Sequence, residues 1–186
     1  PSCLGFCVQK EMDMLNKYVL NPEMPFTIIM GGAKITDKLP LIEKLLPKCS
    51  HMLLTGGLAN SCLKSLGLKT GESLATVDAE TLIKVKDILR EYNKKIVLPF
   101  DAIVGKKYDE TFAASKDINK IENDEIIGDI GPKTLKIYKK IIDESKTIFM
   151  NGTAGIYEEP KYSNGTLELL NIITSSMAKT IAGGGD

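Results

Sequence analysis

The residues best placed for chemistry lie in Gly31-Gly-Ala-Lys-Ile-Thr-Asp-Lys38, where two glycines precede two lysines that flank an aspartate. Glycine lets a backbone turn sharply and come close to a ligand. The first turn of a following helix then offers unpaired N–H donors and the positive end of its dipole. Lys34 and Lys38 add two full positive charges to that corner. A phosphate is the guest such a corner suits. Taken alone, the stretch also reads as an ordinary strand-to-helix turn with solvated lysines.

The elements on either side must position these groups. Phe26-Thr-Ile-Ile-Met30 is a β-branched and apolar run that predicts a strand, and Leu39, Ile42, Leu45 and Leu46 set a helical stripe behind it. Thr36 or Asp37 is expected to cap this helix, with Pro40 in its first turn. Upstream, Phe6, Val8, Met12, Met14, Leu15, Tyr18 and Val19 predict a helix over 6–20. Downstream the pattern predicts strands at 51–54, 95–98, 146–150 and 180–182, with a further apolar stretch at 101–104. Helices are expected at 58–66, from the Asp78 cap to about Tyr92, at 134–144 behind Gly131-Pro132, and from Ser163 or Asn164 to about Met177. The polar span from Gly105 to Asp124 reads as an irregular excursion with room for short strands of its own, and Ile126–Ile130 leads out of it.

Strands alternating with helices predict a parallel sheet with helices on both faces, a Rossmann-like three-layer α/β sandwich. Four of the predicted strands, at 26–30, 51–54, 146–150 and 180–182, run directly into glycines at their C-terminal ends. In a parallel sheet those ends share one edge, and open α/β sheets bind ligands along it. Glycines at four corners, with two lysines and a terminal aspartate among them, suggest a long anionic ligand lying against backbone amides. The pattern is neither a Gly-x-x-x-x-Gly-Lys-Ser/Thr loop nor a Gly-x-Gly-x-x-Gly turn.

Composition excludes several classes. Lysine plus arginine equals aspartate plus glutamate at 24 each, so no overall field draws nucleic acid or an anionic membrane. No apolar run approaches the roughly 20 residues of a membrane span. The chain therefore reads as a soluble, cytoplasmic globular domain. Its start, Pro1-Ser-Cys-Leu-Gly-Phe-Cys7, lacks a basic leader and reads as a cut end. Cys3, Cys7, Cys49 and Cys62 form no CxxC pair, and His51 is the single histidine, so zinc-ligand spacing and a histidine triad are both missing. Any chemistry has to run without a histidine base.

Together, Gly31-Gly-Ala-Lys-Ile-Thr-Asp-Lys38, Gly128-Asp-Ile-Gly-Pro-Lys133, Asn151-Gly-Thr-Ala-Gly-Ile-Tyr-Glu158 and Gly183-Gly-Gly-Asp186 resemble the phosphoglycerate kinase family in order and spacing. Gly5-Phe6 with Lys10-Glu11, the Gly56-Gly57 turn, and Leu98-Pro99 followed by Asp101 extend the resemblance over all 186 residues. It matches the C-terminal, nucleotide-binding half of that family, so residues 1–186 are expected to form one nucleotide-binding domain. The N-terminal substrate domain and the C-terminal tail have no counterpart here.

The resemblance implies phosphoryl transfer between 1,3-bisphosphoglycerate and ADP, giving 3-phosphoglycerate and ATP with Mg²⁺, in a parent that is a cytoplasmic monomer. The attacking phosphate is already anionic and the leaving carboxylate needs no proton, so no general base is required. By the same resemblance Lys34 would stabilise the moving phosphoryl group, Lys38 would hold the terminal phosphates, and Gly184 would join them as a catalytic amide. Asp186 would bind Mg²⁺, while Gly183, Gly184 and Gly185 would give amides to the phosphates beside Asn151 and Gly152. Gly32 and Ala33 would approach the nucleotide from the first corner. Gly56, Gly57 and Leu74 would line the adenine slot, with Ile127 or Gly128 across it and Gly155 and Tyr157 nearby. Glu158 would accept from the ribose hydroxyls. Asp37 is expected to act as a cap and Asp129 to be structural.

Several residues depart from the family pattern. Thr55 stands where a glycine is usual, Gly128 where a leucine is usual, Met150 where a tryptophan is common, Thr153 where a proline is usual and Tyr157 where a phenylalanine is usual. They gather round the base slot and spare Lys34, Lys38 and Asp186. Since the family's catalysis follows closure of two domains, this half is expected to bind nucleotide and not to turn over alone. The alternative is a Rossmann-like module for NAD or another cofactor. That reading wants an acid at the end of the second strand, where this chain has Thr55-Gly56.

Overall fold

The computed structural model describes residues 5–75, 77–106 and 109–184. Among the described residues, eight strands and six α-helices follow one another in chain order. The helices are α1 (Phe6–Leu15), α2 (Ile35–Leu45), α3 (Gly56–Ser65), α4 (Ala79–Glu91), α5 (Pro132–Asp143) and α6 (Asn164–Ser175). The strands are β1 (Phe26–Met30), β2 (His51–Leu54), β3 (Ile96–Val97), β4 (Asp101–Lys106), β5 (Asp109–Asp117), β6 (Glu125–Ile130), β7 (Thr147–Asn151) and β8 (Lys179–Gly183).

The main sheet runs β3-β2-β1-β7-β8 with every described pairing parallel. Register explains why the glycine corners meet. Met30 lies beside Leu54 on one side and Asn151 on the other, and Asn151 beside Gly183, so four strands end in step. β1 is buried along its whole length, as a central parallel strand covered on both faces must be. Its side chains alternate between layers. Phe26, Ile28 and Met30 pack with Leu39 and Ile42 of α2 and with Leu58, Cys62 and Val85 of α3 and α4. Ile29 faces the other way, toward Tyr138, Ile142, Leu169 and Ile173 of α5 and α6. Tyr138 is fully buried, and its hydroxyl reaches the carbonyl oxygens of Leu54 and Val97 at 2.6 and 3.1 Å. That contact ties α5 to the ends of two strands.

The polar span after β3 is more ordered than the sequence suggests. β4, β5 and β6 form a second sheet, antiparallel, in the order β5-β4-β6. From Thr111 to Lys116 the residues of β5 alternate between exposed and half-buried, so a polar composition conceals a strand with one wet face. Leu63, Ala102, Val104, Ile118 and Ile121 make a small core beneath this sheet.

Three helix ends differ from expectation. α2 begins at Ile35, so Lys34 occupies the N-cap position without a side-chain cap, and Thr36 and Asp37 lie inside the first turn. Pro40 falls within the helix, past the first turn, and leaves the Thr36 carbonyl without its usual N–H partner. α3 begins at Gly56, earlier than the apolar stripe implies. The predicted 6–20 helix is α-helical only to Leu15 and continues as a π-helical turn over Asn16–Leu20. Asp78 caps α4 as expected, accepting from the Thr81 N–H at 2.8 Å.

Candidate nucleotide site

The C-terminal edge of the main sheet carries two adjoining hollows. One is a cavity of about 290 Å³ bounded by Gly56, Gly57 and Asn60 of α3, by Leu74, by Ala102, Ile126 and Ile127 of the second sheet, and by the loop after β7. The other is an open groove of about 740 Å³ bounded by Lys34 and Lys38, by Asn151 at the end of β7 and Gly152 after it, and by Gly183 and Gly184 at the end of β8. Gly32, Ala33 and Thr153 border both. Those three residues form a ridge between an apolar chamber and a basic trough.

In the groove, Lys38 reaches inward from the first turn of α2. Its Nζ donates to the Gly31 carbonyl at 2.9 Å and to Asn151 Oδ1. The ammonium is thus held between the ends of β1 and β7. Lys34, exposed at the N-cap position, and Asp37 border the same groove. The corners are laced to one another: the Gly31 N–H donates to the Asn151 carbonyl at 2.9 Å, and Asn151 Nδ2 to the Gly183 carbonyl at 3.3 Å. Two amides that could have faced a ligand are already engaged, Gly152 N–H with the Gly183 carbonyl and Leu58 N–H with that of Gly32.

The ridge is held by residues that depart from the family pattern. Thr55 Oγ1 donates to the Thr153 carbonyl at 3.2 Å, and Thr153 Oγ1 to the Gly155 carbonyl at 3.1 Å. Gly31 lies against this pair, where a Cβ would stand 1.9 Å from the Thr153 carbonyl oxygen and 2.6 Å from Thr55 Oγ1. No other residue fits there. The hydroxyl that replaces an expected glycine therefore bonds the loop that lacks an expected proline.

A second compensation shapes the cavity wall. A Cβ on Gly128 would lie 2.2 Å from the Tyr162 ring. Tyr162 is buried and occupies the room a larger residue at 128 would need. Behind the same wall, Asp129 is 2% exposed and accepts from the Gly165 N–H at 2.5 Å and the Ile130 N–H at 2.8 Å. Desolvation pushes its carboxyl up to about 6 despite these two bonds. It pins the start of α6 to the end of β6.

The structure brings most of the expected residues to one edge. Gly32, Ala33, Gly56, Gly57, Leu74, Ile127, Gly128, Gly155, Tyr157 and Glu158 border the cavity. Lys34, Lys38, Asn151, Gly152, Gly183 and Gly184 border the groove. Gly185 and Asp186 lie outside the described residues. Asn60 and Thr153 border the hollows without having been singled out for a ligand. Asn60 could have been found from its spacing, one helical turn beyond Gly56 on the face that opens to the cavity. Thr55, at the place where a dinucleotide fold wants a ribose-binding acid, is 1% exposed with its hydroxyl engaged.

Elsewhere, burial pushes the thiols of Cys49 and Cys62 up to about 11 and about 12, which leaves them protonated and inert at neutral pH. Among the described residues no helix is long and apolar enough to cross a membrane.

Comparison with known proteins points the same way as the motifs. The family model described as phosphoglycerate kinase matches residues 1–186. The phosphoglycerate kinase of Finegoldia magna is 44% identical over 189 residues, covering 100% of this chain and 48% of that protein. That of Tropheryma whipplei is 39% identical over 187 residues, covering 98% of this chain and 46% of that protein. The structure of phosphoglycerate kinase from Coxiella burnetii superposes with a TM-score of 0.91 at 34% identity, over 99% of this chain and 48% of that one. The chain spans about half the length of the curated relatives it matches.

Proposed function

The chain belongs to the phosphoglycerate kinase family, and on that premise we propose that it is the nucleotide-binding half of an enzyme that moves a phosphoryl group between 1,3-bisphosphoglycerate and ADP. The observation that carries this reading is the pair of hollows joined at Gly32, Ala33 and Thr153, one apolar and one lined by Lys34 and Lys38. Their chemistries match the two ends of a nucleotide. A base buries apolar faces, while its phosphates need cations and donors.

In this assignment the base enters the 290 Å³ cavity between Gly57 and Ile127. Glu158 meets the ribose, and the phosphates cross the ridge into the groove. Lys38, fixed by Gly31 and Asn151, holds the terminal phosphates in place before the reaction starts. Lys34 neutralises charge on the group in flight, with Gly184 supplying an amide beside it. Fixed charges aimed where charge develops are the main catalytic resource for this transfer. No proton has to be moved, in keeping with a site edge built without histidine.

The described residues bring cations and amides to the groove, which suit phosphate oxygens. Mg²⁺ takes hard oxygen ligands and keeps several waters, so the phosphates themselves and Asp186 would hold it. When bound it supplies further neutralisation of the phosphate charge. The phosphoglycerate would be delivered by the part of the relatives that this chain does not span, and the full enzyme would work in the cytoplasm.

The test is direct binding. Mg-ADP should raise the melting temperature of this chain, since a ligand that binds only the folded state stabilises it. A melting curve unmoved by millimolar Mg-ADP, together with no heat on calorimetric titration, would overturn the assignment.

A further inference from the structure

We infer that Asn60 reads the base, and that it selects a purine carrying an amino group at the six position over one carrying a carbonyl there. The inference rests on the nucleotide reading above and deepens it, by naming the side chain that would set the choice of base.

Asn60 is 5% exposed and borders the cavity, which Ala59, Ala102, Ile118, Ile126 and Ile127 also line. Of the other polar side chains along the cavity, Tyr157 lies exposed at the rim, and three more are placed as follows. Asp129 accepts from two backbone amides, Thr153 bonds Gly155, and Glu158 is exposed at the rim. Asn60 Nδ2 faces the Leu74 carbonyl at 3.5 Å. A carbonyl oxygen can only accept, so with Nδ2 on the Leu74 side the Oδ1 end is the one turned away from it. The Oδ1 end has no hydrogen-bond partner among the described residues. No side-chain oxygen among them is both sealed from solvent and unpaired, so Oδ1 reaches open space, and the open space Asn60 borders is the cavity.

An acceptor held in that pose wants a donor from the ligand. Adenine offers its exocyclic amino group. Hypoxanthine and guanine place a carbonyl oxygen at the same position, which would set two acceptors against each other in an apolar chamber. Turning the amide over to suit them would give up the Leu74 contact and direct Oδ1 at another carbonyl. A site built to hydrogen-bond one group rejects the analogue that lacks it, because its own polar atom is left unpaired.

The experiment compares ADP, IDP and GDP, each with Mg²⁺, by calorimetry on this chain and on Asn60→Leu, which keeps the branched shape without a hydrogen-bonding group. The wild type should bind ADP about tenfold more tightly than IDP or GDP, the effect of one neutral hydrogen bond. In Asn60→Leu that ratio should fall to within about twofold, chiefly because ADP binds less well. A wild-type ratio within twofold overturns the assignment of Asn60 without needing a variant that folds. A preference that survives in Asn60→Leu overturns it equally, while leaving the nucleotide site in place. Failure of all three nucleotides to bind the wild type would instead remove the nucleotide reading, and this inference with it.

Discussion

The two hollows at the sheet edge are built by different means. The groove is made mainly of strand ends and the start of α2, with Lys34 and Lys38 supplied by one corner and Thr166 and Leu170 by α6. The cavity sets the glycine backbone of Gly56, Gly57, Gly128 and Gly155 among side chains drawn from α3, the second sheet and the loop after β7. Backbone geometry tolerates little change, whereas a side-chain wall can be refilled by a different set of residues of similar total volume. Of the departures that the resemblance implies, all but Met150, which borders the groove, fall on the cavity and the ridge. Gly128 is matched by Tyr162, and Thr55 by Thr153.

The hardest test of this contrast is Gly128→Leu, which restores the usual family residue to a wall already filled by Tyr162. The clash should cost about 3 kcal/mol of stability, read by urea denaturation, and a second change of Tyr162→Ala should recover part of it. Were Gly128→Leu neutral by itself, the ring would not be the occupant that excludes a side chain at 128.

Asp129 probes the same wall through pH. Its carboxyl titrates near 6 in the folded chain and near 3.9 when unfolded, so between about pH 4 and 6 the folded state holds the proton more tightly. This group's contribution therefore falls as pH rises through that window. Asp129→Asn abolishes the titration, so the stability of the variant relative to wild type should climb by about 2 kcal/mol from pH 4 to pH 6.5. Other carboxylates are common to both proteins and cancel in the difference. A gap that stays flat or narrows would mean that the carboxyl is better solvated than its burial indicates.

Lys38→Ala moves the test to the groove. Loss of a charge-assisted contact should weaken ADP binding by about 2 kcal/mol, roughly thirtyfold, while adenosine affinity changes by less than about twofold. An equal loss for both ligands would merge the two hollows into one functional unit. The smallest effect belongs to the ridge. Thr55→Val should cost about 1 kcal/mol through the lost bond to Thr153, and Thr55→Ser should restore most of it. If serine rescued nothing, the methyl group and not the hydroxyl would hold the ridge.

Much of the groove was legible in advance because its parts are contiguous in sequence. A strand that stops at Gly31-Gly32 and resumes as a helix bearing Lys38 is a local pattern, and its repetition at other strand ends predicted a shared edge. The cavity was read chiefly through family resemblance. Ala102, Ile118 and Ile126 approach Gly57 only because β4, β5 and β6 fold into an antiparallel sheet beside the main one. A span whose exposed face is polar left room for short strands but did not show how they would pair. The misplaced start of α2 has a similar origin. Thr36 and Asp37 favour capping, yet burial of Ile35 in the core begins the helix before either can cap it.

By itself, then, the chain's order of residues determined the α/β class, the positions of the main strands and the gathering of glycines and lysines at their ends. These follow from periodicity and backbone freedom, which act over a few neighbours. Which distant atoms share a bond was decided only by the tertiary structure: Lys38 with Asn151, Thr55 with Thr153, Tyr162 against Gly128, and the Asn60 amide turned by Leu74. Such pairings depend on strand register and on volume left by other side chains. Neither quantity is written locally in the sequence.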